Sequence, residues 1–465
     1  MGPLNGSEDD DSESDEPPRV YGGAKPKADL AFFGDRVSKV VCDAPARYLQ
    51  LITESEFLQQ QCGTNEGTIP IGVGDRFQKG AVTPIGIGSQ VPANLTTVYN
   101  VVEIQSATRA LVREYNLEYF ETPFKTHENA TMFGIKVPPA NAGGASNFTV
   151  LLEAGIHARE RGGPDHLLNF VSDLLWAEKQ STGLIYGGVE YTATEVQKAR
   201  SIGFVVLPLV NPDGVAFDHA TNACWRKNRN PASAVPDDDV SVGIDLNRNF
   251  PPAWDYRTAM APNTTEWTIS DEANSEVFRG TAPLSEPEAQ NVVWTMDQIP
   301  ELRWFLDLHS MAGMMLYGWG LDTNQGKDES MNLVNKAYDG KRGAIPDNRA
   351  RGYVYGEYYD PEEYLAATIT ATNVADAMLA AGGRNYFAQQ SAGLYPAPGS
   401  SADHPMYRAL QDPAKKWANG FTLEFGQAND EAKCEFYPTV EMHQLSMMET
   451  GAAFMEFLLS AAKFS

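Results

Sequence analysis

The sequence predicts an α/β fold, a central β-sheet with helices on both faces, preceded by a small N-terminal region. Two observations carry this. From Tyr99 onward, short apolar runs of strand length alternate with longer stretches of helical periodicity. The 465-residue chain, 42% hydrophobic, is also long enough to bury the large core such a sheet requires.

The elements follow in order. Residues 1–19 hold the run SEDDDSESDE, like charges with nothing apolar to bury, and are expected to be disordered. Residues 20–95 form the N-terminal region, with a strand-like stretch at Arg36–Val41 and a helix-like one at Ala46–Gln61. Its Gly- and Pro-rich end, Gly63–Pro92, reads as a linker or irregular loop layer. The main domain is expected over 96–465. It opens with an amphipathic helix at Tyr99–Tyr115, and strands are expected at Thr131–Val137, Phe148–Ala154 and Gly203–Pro208. Helices are expected at Asp165–Lys179, Glu286–Gln298, Met331–Tyr338, Tyr364–Ala381 and Val440–Lys463.

Charge narrows the function. With 36 Lys+Arg against 61 Asp+Glu, the chain carries a net charge of -25, which repels phosphate backbones and argues against nucleic acid as a partner. No window reaches the ~18 apolar residues of a membrane span. The N-terminus lacks the basic and apolar regions of a signal peptide. Sequons at Asn5, Asn94, Asn129, Asn147 and Asn263 nevertheless lean towards a secreted or vacuolar protein. The four cysteines form no CxxC pair; Cys42 with Cys62 and Cys224 with Cys434 can be paired, or all four can be free thiols.

The chemistry sits at strand ends. The apolar run FTVLLEA gives way to Gly155-Ile156-His157-Ala158-Arg159-Glu160. Open α/β sheets bind ligands at the carboxyl ends of their strands, where a His and a Glu three residues apart can face one point. A third ligand candidate, His309, closes the apolar run Trp304–Leu308. Alone, it reads equally as a hydrogen-bonded core histidine. Two His and one Glu form a catalytic zinc set with a position left for water. Glu424 lies within the apolar run GFTLEFG, where a buried lone carboxylate needs a partner or a task, here that of a general base. Arg226 (in CWRK) and Arg248 (in DLNRNF) offer planar forks suited to a carboxylate, and Asp245 is a candidate partner for a ligand imidazole.

These segments occur in the order GIHARE, NPDG, WRK, DLNRN, LHS, LYPAPGS and TLEF. In this order they resemble the zinc carboxypeptidases of the pancreatic A/B type, from about Tyr99 to the C-terminus. The resemblance implies a mixed central β-sheet and one Zn2+ held by His157, Glu160 and His309. Glu424 would act as base and then acid, and Arg226 would polarise the scissile carbonyl. Asn247, Arg248 and Tyr395 would grip the substrate's terminal carboxylate, and Arg159 and Ser310 would contact residues upstream of the scissile bond. Ala402, at the position that reads the departing side chain, implies apolar or aromatic C-termini; a register shift would put Asp403 there instead. The substrate is then the C-terminus of a peptide or protein, and the enzyme is expected to be a monomer. Arg161 departs from the family's usual Trp, Ala223 from a frequent Arg, and Lys341–Tyr364 reads as an insertion. Residues 20–95 are only faintly similar to the family's inhibitory pro-segment.

Overall fold

The computed structural model of the protein describes residues 67–89, 95–140, 147–343 and 354–464. In chain order its main elements are α1 (Val101–Tyr115), β1 (Glu118–Lys125), β2 (Thr131–Val137), β3 (Phe148–Ala154), α2 (Gly163–Gln180), α3 (Ala193–Ala199), β4 (Gly203–Leu207) and α4 (Pro212–Thr221). There follow α5 (Pro287–Asp297), β5 (Trp304–Ser310), β6 (Met314–Tyr317), α6 (Pro361–Gly382), β7 (Phe387–Gln390), α7 (His404–Gln411), β8 (Asn419–Phe425) and α8 (Val440–Phe464).

Local chemistry sets several of these boundaries. Asn100 caps α1 by accepting from Glu103 N while the Glu103 carboxylate accepts from Asn100 N, and the helix ends at Asn116 in the left-handed region. Asp360 caps α6 just before Pro361, and Gly383, at φ 76°, ends it. All seven residues of β5 are buried, so its sequence reads as a near-continuous apolar run rather than an alternation.

The eight strands form one sheet in the order β1-β2-β4-β3-β5-β8-β6-β7. The centre is parallel, β4 to β3 to β5 to β8, while β1 with β2, β2 with β4, and β8 with β6 are antiparallel. The expected mixed sheet is thus observed. Neighbouring residues on one strand point to opposite faces, and the core divides accordingly. Leu151, Val205 and Phe305 pack with Ala289, Val292 and Met296 of α5, whereas Leu152, Val206 and Leu306 pack with residues of α1, α2, α6 and α8.

The expected helix at Met331–Tyr338 is not formed; only Lys336–Tyr338 makes a single tight turn. Asn332 Oδ1 accepts from Val334 N and Asn335 N, and Asn335 Oδ1 accepts from Ala337 N, so side chains take the backbone donors a helix would use. The expected strand at 36–41, helix at 46–61, tail at 1–19 and Cys42–Cys62 pairing lie outside the described residues. The described part of the Gly- and Pro-rich stretch, 67–89, is tied to the main fold. Arg76 pairs with Glu103 at 2.7 Å, Ser172 Oγ donates to Pro84 O, and Gly88 N donates to Asp173 Oδ2.

Candidate metal centre and substrate cleft

β3, β5 and β8 are parallel neighbours and end on the same edge of the sheet. Glu424 pairs with His309 across β8 and β5, and Ala154 with Leu308 across β3 and β5. Beyond β3 the chain turns through Gly155, at φ 71°, and brings His157 and Glu160 above the end of β5. His157 Nδ1 lies 2.7 Å from Glu160 Oε1 and His309 Nδ1 lies 3.0 Å from Glu160 Oε2, and the two Nδ1 atoms are 3.1 Å apart. All three side chains are buried.

The far sides of both rings fix their tautomers. His157 Nε2 is 3.1 Å from Asp245 Oδ1, and His309 Nε2 is 2.9 Å from Asp307 Oδ2. A carboxylate only accepts, so each Nε2 carries a proton to donate. In neutral rings both Nδ1 lone pairs then converge on a third acceptor, Glu160. Three buried acceptors facing one another with no donor among them are the donor set of a cation, and two imidazoles with a carboxylate suit zinc. Protonating the two imidazoles instead of filling the set with a cation holds the Glu160 carboxyl well below the usual carboxylate range against the upward push of its burial. Asp245 is likewise held down against burial by Arg226 and His157.

Glu424, half-buried beside His309, is in the opposite condition: burial pushes its carboxyl up to about 7. It is poised to exchange a proton near neutrality.

Cationic and amide groups gather around this centre. Arg226 donates from Nε and Nη2 to Asp245 Oδ2 at 3.0 and 2.9 Å, and its Nη1 lies 3.8 Å from Glu160 Oε1. Asn247 Nδ2 comes within 3.3 Å of His309 Nε2, and Asn247 Oδ1 accepts from Ser401 N at 2.8 Å. Arg248 donates to the carbonyls of Thr268 and Asn247 and lies 5.9 Å from the Tyr395 ring centroid. The Tyr395 ring packs edge-on against Trp267 at 5.1 Å. Ser310 closes β5, and its backbone N donates to Glu160 Oε2 at 3.3 Å. Ala402 is buried at the N-terminal approach to α7. Both oxygens of the neighbouring Asp403 accept from Gly320 N, at 2.9 and 3.0 Å.

Arg159 is brought to the cleft but is already engaged. Its guanidinium forms a two-point ion pair with Glu276, at 2.9 and 3.1 Å, over the Phe436 ring. Arg161 is accommodated by charge: it donates to Asp218 Oδ2 at 2.7 Å and lies 3.4 Å from the Tyr437 ring centroid. Cys224 and Cys434 form a disulfide, which joins the loop after α4, just before Arg226, to the loop that carries Phe436 and Tyr437. Two groups escaped the reading of the sequence. Asp307 had a signal, because two residues before His309 on a strand places it on the same face. Glu276, in an irregular segment, had none.

A buried two-histidine, one-glutamate centre beside a half-buried carboxylate, at the strand ends of a mixed α/β sheet, is an arrangement of the kind metal-dependent hydrolases use. A zinc carboxypeptidase family model matches residues 119–450, and the chain belongs to that family. It is 28% identical over 234 residues to carboxypeptidase B of Astacus astacus, covering 49% of this chain and 66% of the relative. It is 26% identical over 282 residues to zinc carboxypeptidase A 1 of Drosophila melanogaster, covering 60% and 51%. The chain thus spans about half to two thirds of the length of these curated relatives. Among solved structures, carboxypeptidase A from Helicoverpa armigera aligns with a TM-score of 0.56 at 18% identity, covering 89% of this chain and 81% of that one. Thrombin activatable fibrinolysis inhibitor aligns with a TM-score of 0.55 at 20% identity, covering 79% and 75%. These two likenesses establish the fold.

Proposed function

We propose that the protein is a zinc-dependent exopeptidase that hydrolyses the C-terminal peptide bond of peptides and proteins. The observation that carries this reading is the convergence of His157, Glu160 and His309 beside Glu424, with Arg226 and Asn247 next to these ligands and Arg248 next to Tyr395. A zinc ion held by the three ligands would supply Lewis acidity to the scissile carbonyl and lower the pKa of a water.

Glu424 takes the proton of the attacking water and delivers it to the leaving amine. Arg226 donates to the carbonyl oxygen as negative charge develops there, a role its hold on Asp245 pre-organises. Arg248, Asn247 and Tyr395 bind the free carboxylate, which confines attack to the last peptide bond. Ser310, and Arg159 once released from Glu276, meet residues upstream of it.

At the departing residue, the small Ala402 leaves room for an apolar or aromatic side chain. Asp403 supports the same preference, because its two oxygens are occupied by Gly320 N and burial pushes its carboxyl up to about 7. The chain is read as a monomer, and the Cys224–Cys434 disulfide supports a secreted or secretory/vacuolar location. No helix among the described residues is long and apolar enough to cross a membrane.

The test is release of C-terminal residues from a peptide panel ending in Phe, Leu, Lys or Glu. Activity on Phe and Leu that a chelator abolishes and zinc restores is the expected result. Chelator-insensitive release would defeat the mechanism, and a preference for Lys or Glu would defeat the assignment of Ala402.

A further inference from the structure

Outside the cleft, the turn between β1 and β2 and the N-terminal end of α5 bring a second set of metal-ligating side chains together. One ring nitrogen of His127 and one oxygen each of Glu286 and Glu288 lie within 4.8 Å of one another. His127 Nε2 is 3.1 Å from Glu286 Oε2. Both carboxylates are fully buried, whereas His127 reaches solvent, so the set is open on one side only.

The surrounding donors do not satisfy it. Asn228 Nδ2 donates to Glu286 Oε2 at 2.7 Å and to Glu288 Oε2 at 3.1 Å, and Asn230 Nδ2 and Ser285 Oγ also serve Glu286. Glu288 Oε1 is left buried without a hydrogen-bond partner. A third carboxylate, Asp213, anchors the same turn by accepting from Thr126 Oγ1 at 2.8 Å and Glu128 N at 2.9 Å. Concentrating acids in a desolvated place is costly unless a cation is shared among them. Burial pushes the Glu288 carboxyl up to about 7, the mark of that cost.

We propose that His127, Glu286 and Glu288 form a second divalent-cation site, separate in its residues from the catalytic centre, that ties the β1–β2 turn to α5. Imidazole nitrogen with two carboxylates selects zinc or a neighbouring late first-row ion over calcium or magnesium, which favour all-oxygen sets. Asn228 links the two centres in sequence, two residues after Arg226, without touching the catalytic ligands.

The experiment compares zinc bound per chain in the full-length wild type, His127→Ala and Glu288→Gln, after equilibration with micromolar zinc and removal of free metal. Each variant is expected to hold one equivalent fewer than wild type. Equal metal content in all three overturns the proposal and leaves His127 and Glu286 as a plain ion pair. Because the readout is a difference, it is independent of whether the catalytic centre loads, so it fails separately from the peptidase reading. His127 is a turn residue open to solvent, and Glu288→Gln preserves side-chain volume. Zinc-dependent thermal shift gives the second measurement: zinc in excess of one equivalent should raise the melting temperature of wild type but not of His127→Ala, and equal shifts would also overturn the site.

Discussion

His309 and Glu424 stand on β5 and β8, which pair in unbroken register from Trp304 with Asn419 to Ser310 with Phe425. Arg226, Asn247, Arg248 and Tyr395 stand on loops and are held by other means: an ion pair to Asp245, donation to backbone carbonyls, and ring contacts. Of the metal end, His309 and Glu424 are therefore positioned by the sheet itself while His157 and Glu160 stand on the turn just beyond β3, and the proposed substrate end is held by a web of side-chain contacts spread over residues 224–403. On the proposed function, rigid backbone would fix where the bond is cleaved, and adjustable contacts would decide which chain is admitted.

The comparison breaks most severely at the sheet. Glu424→Gln should lower kcat by about 10³-fold while zinc content stays at the wild-type level, since general base catalysis typically contributes 10²–10⁴. Because burial raises Glu424 to about 7, the carboxylate that must be ionised is protonated on the acid side. In wild type, kcat/KM should therefore fall as pH drops, with an acid limb at or below about 7, since a nearby zinc ion lowers that value. A pH profile flat from 5 to 8 would remove Glu424 from this role.

On the loop side, Arg226→Ala should cost about 10²-fold, mostly in kcat, if its guanidinium meets charge that develops in the transition state. A change confined to KM would make it a ground-state contact instead. The disulfide is the next largest element. It joins residues 210 positions apart, and the chain-entropy argument puts its contribution at up to about 5 kcal/mol. Replacing Cys224 and Cys434 by Ser should lower the melting temperature and, through the loop before Arg226, reduce kcat with zinc retained. Unchanged stability would show the cross-link to be redundant with the Arg161–Asp218 pair and the Cys224 N to Tyr437 Oη bond.

The same division explains what the sequence could tell. Each metal-end residue follows an apolar run of strand length, so His157, Glu160, His309 and Glu424 are visible as chemistry interrupting a pattern. β2 and β3 are bounded as expected for the same reason. Where backbone is fixed by side chains from elsewhere, periodicity has nothing to report. The 331–338 stretch carries a helix-like pattern that Asn332 and Asn335 override locally, and the exposed edge strand β1 lacks the apolar run that marks its inner neighbours. Resemblance points Arg159 to the cleft, but its clamp comes from Glu276, 117 residues away.

That clamp gives the mildest and most specific test. Arg159 is almost fully buried between Glu276 and Phe436, so on the proposed role a substrate residue upstream of the scissile bond would have to compete with a two-point ion pair to reach it. Glu276 is partly exposed, which keeps the pair weak enough to exchange. Glu276→Gln removes the charge and keeps the shape. KM for tri- and tetrapeptides should then fall by a few-fold, while blocked dipeptides, which do not extend to Arg159, should be unaffected. An equal change for short and long substrates would mean that Glu276 acts on the cleft as a whole through the 271–278 loop. That loop is also held by Lys227 Nζ on Ala273 O, and Lys227→Met should then reproduce the effect.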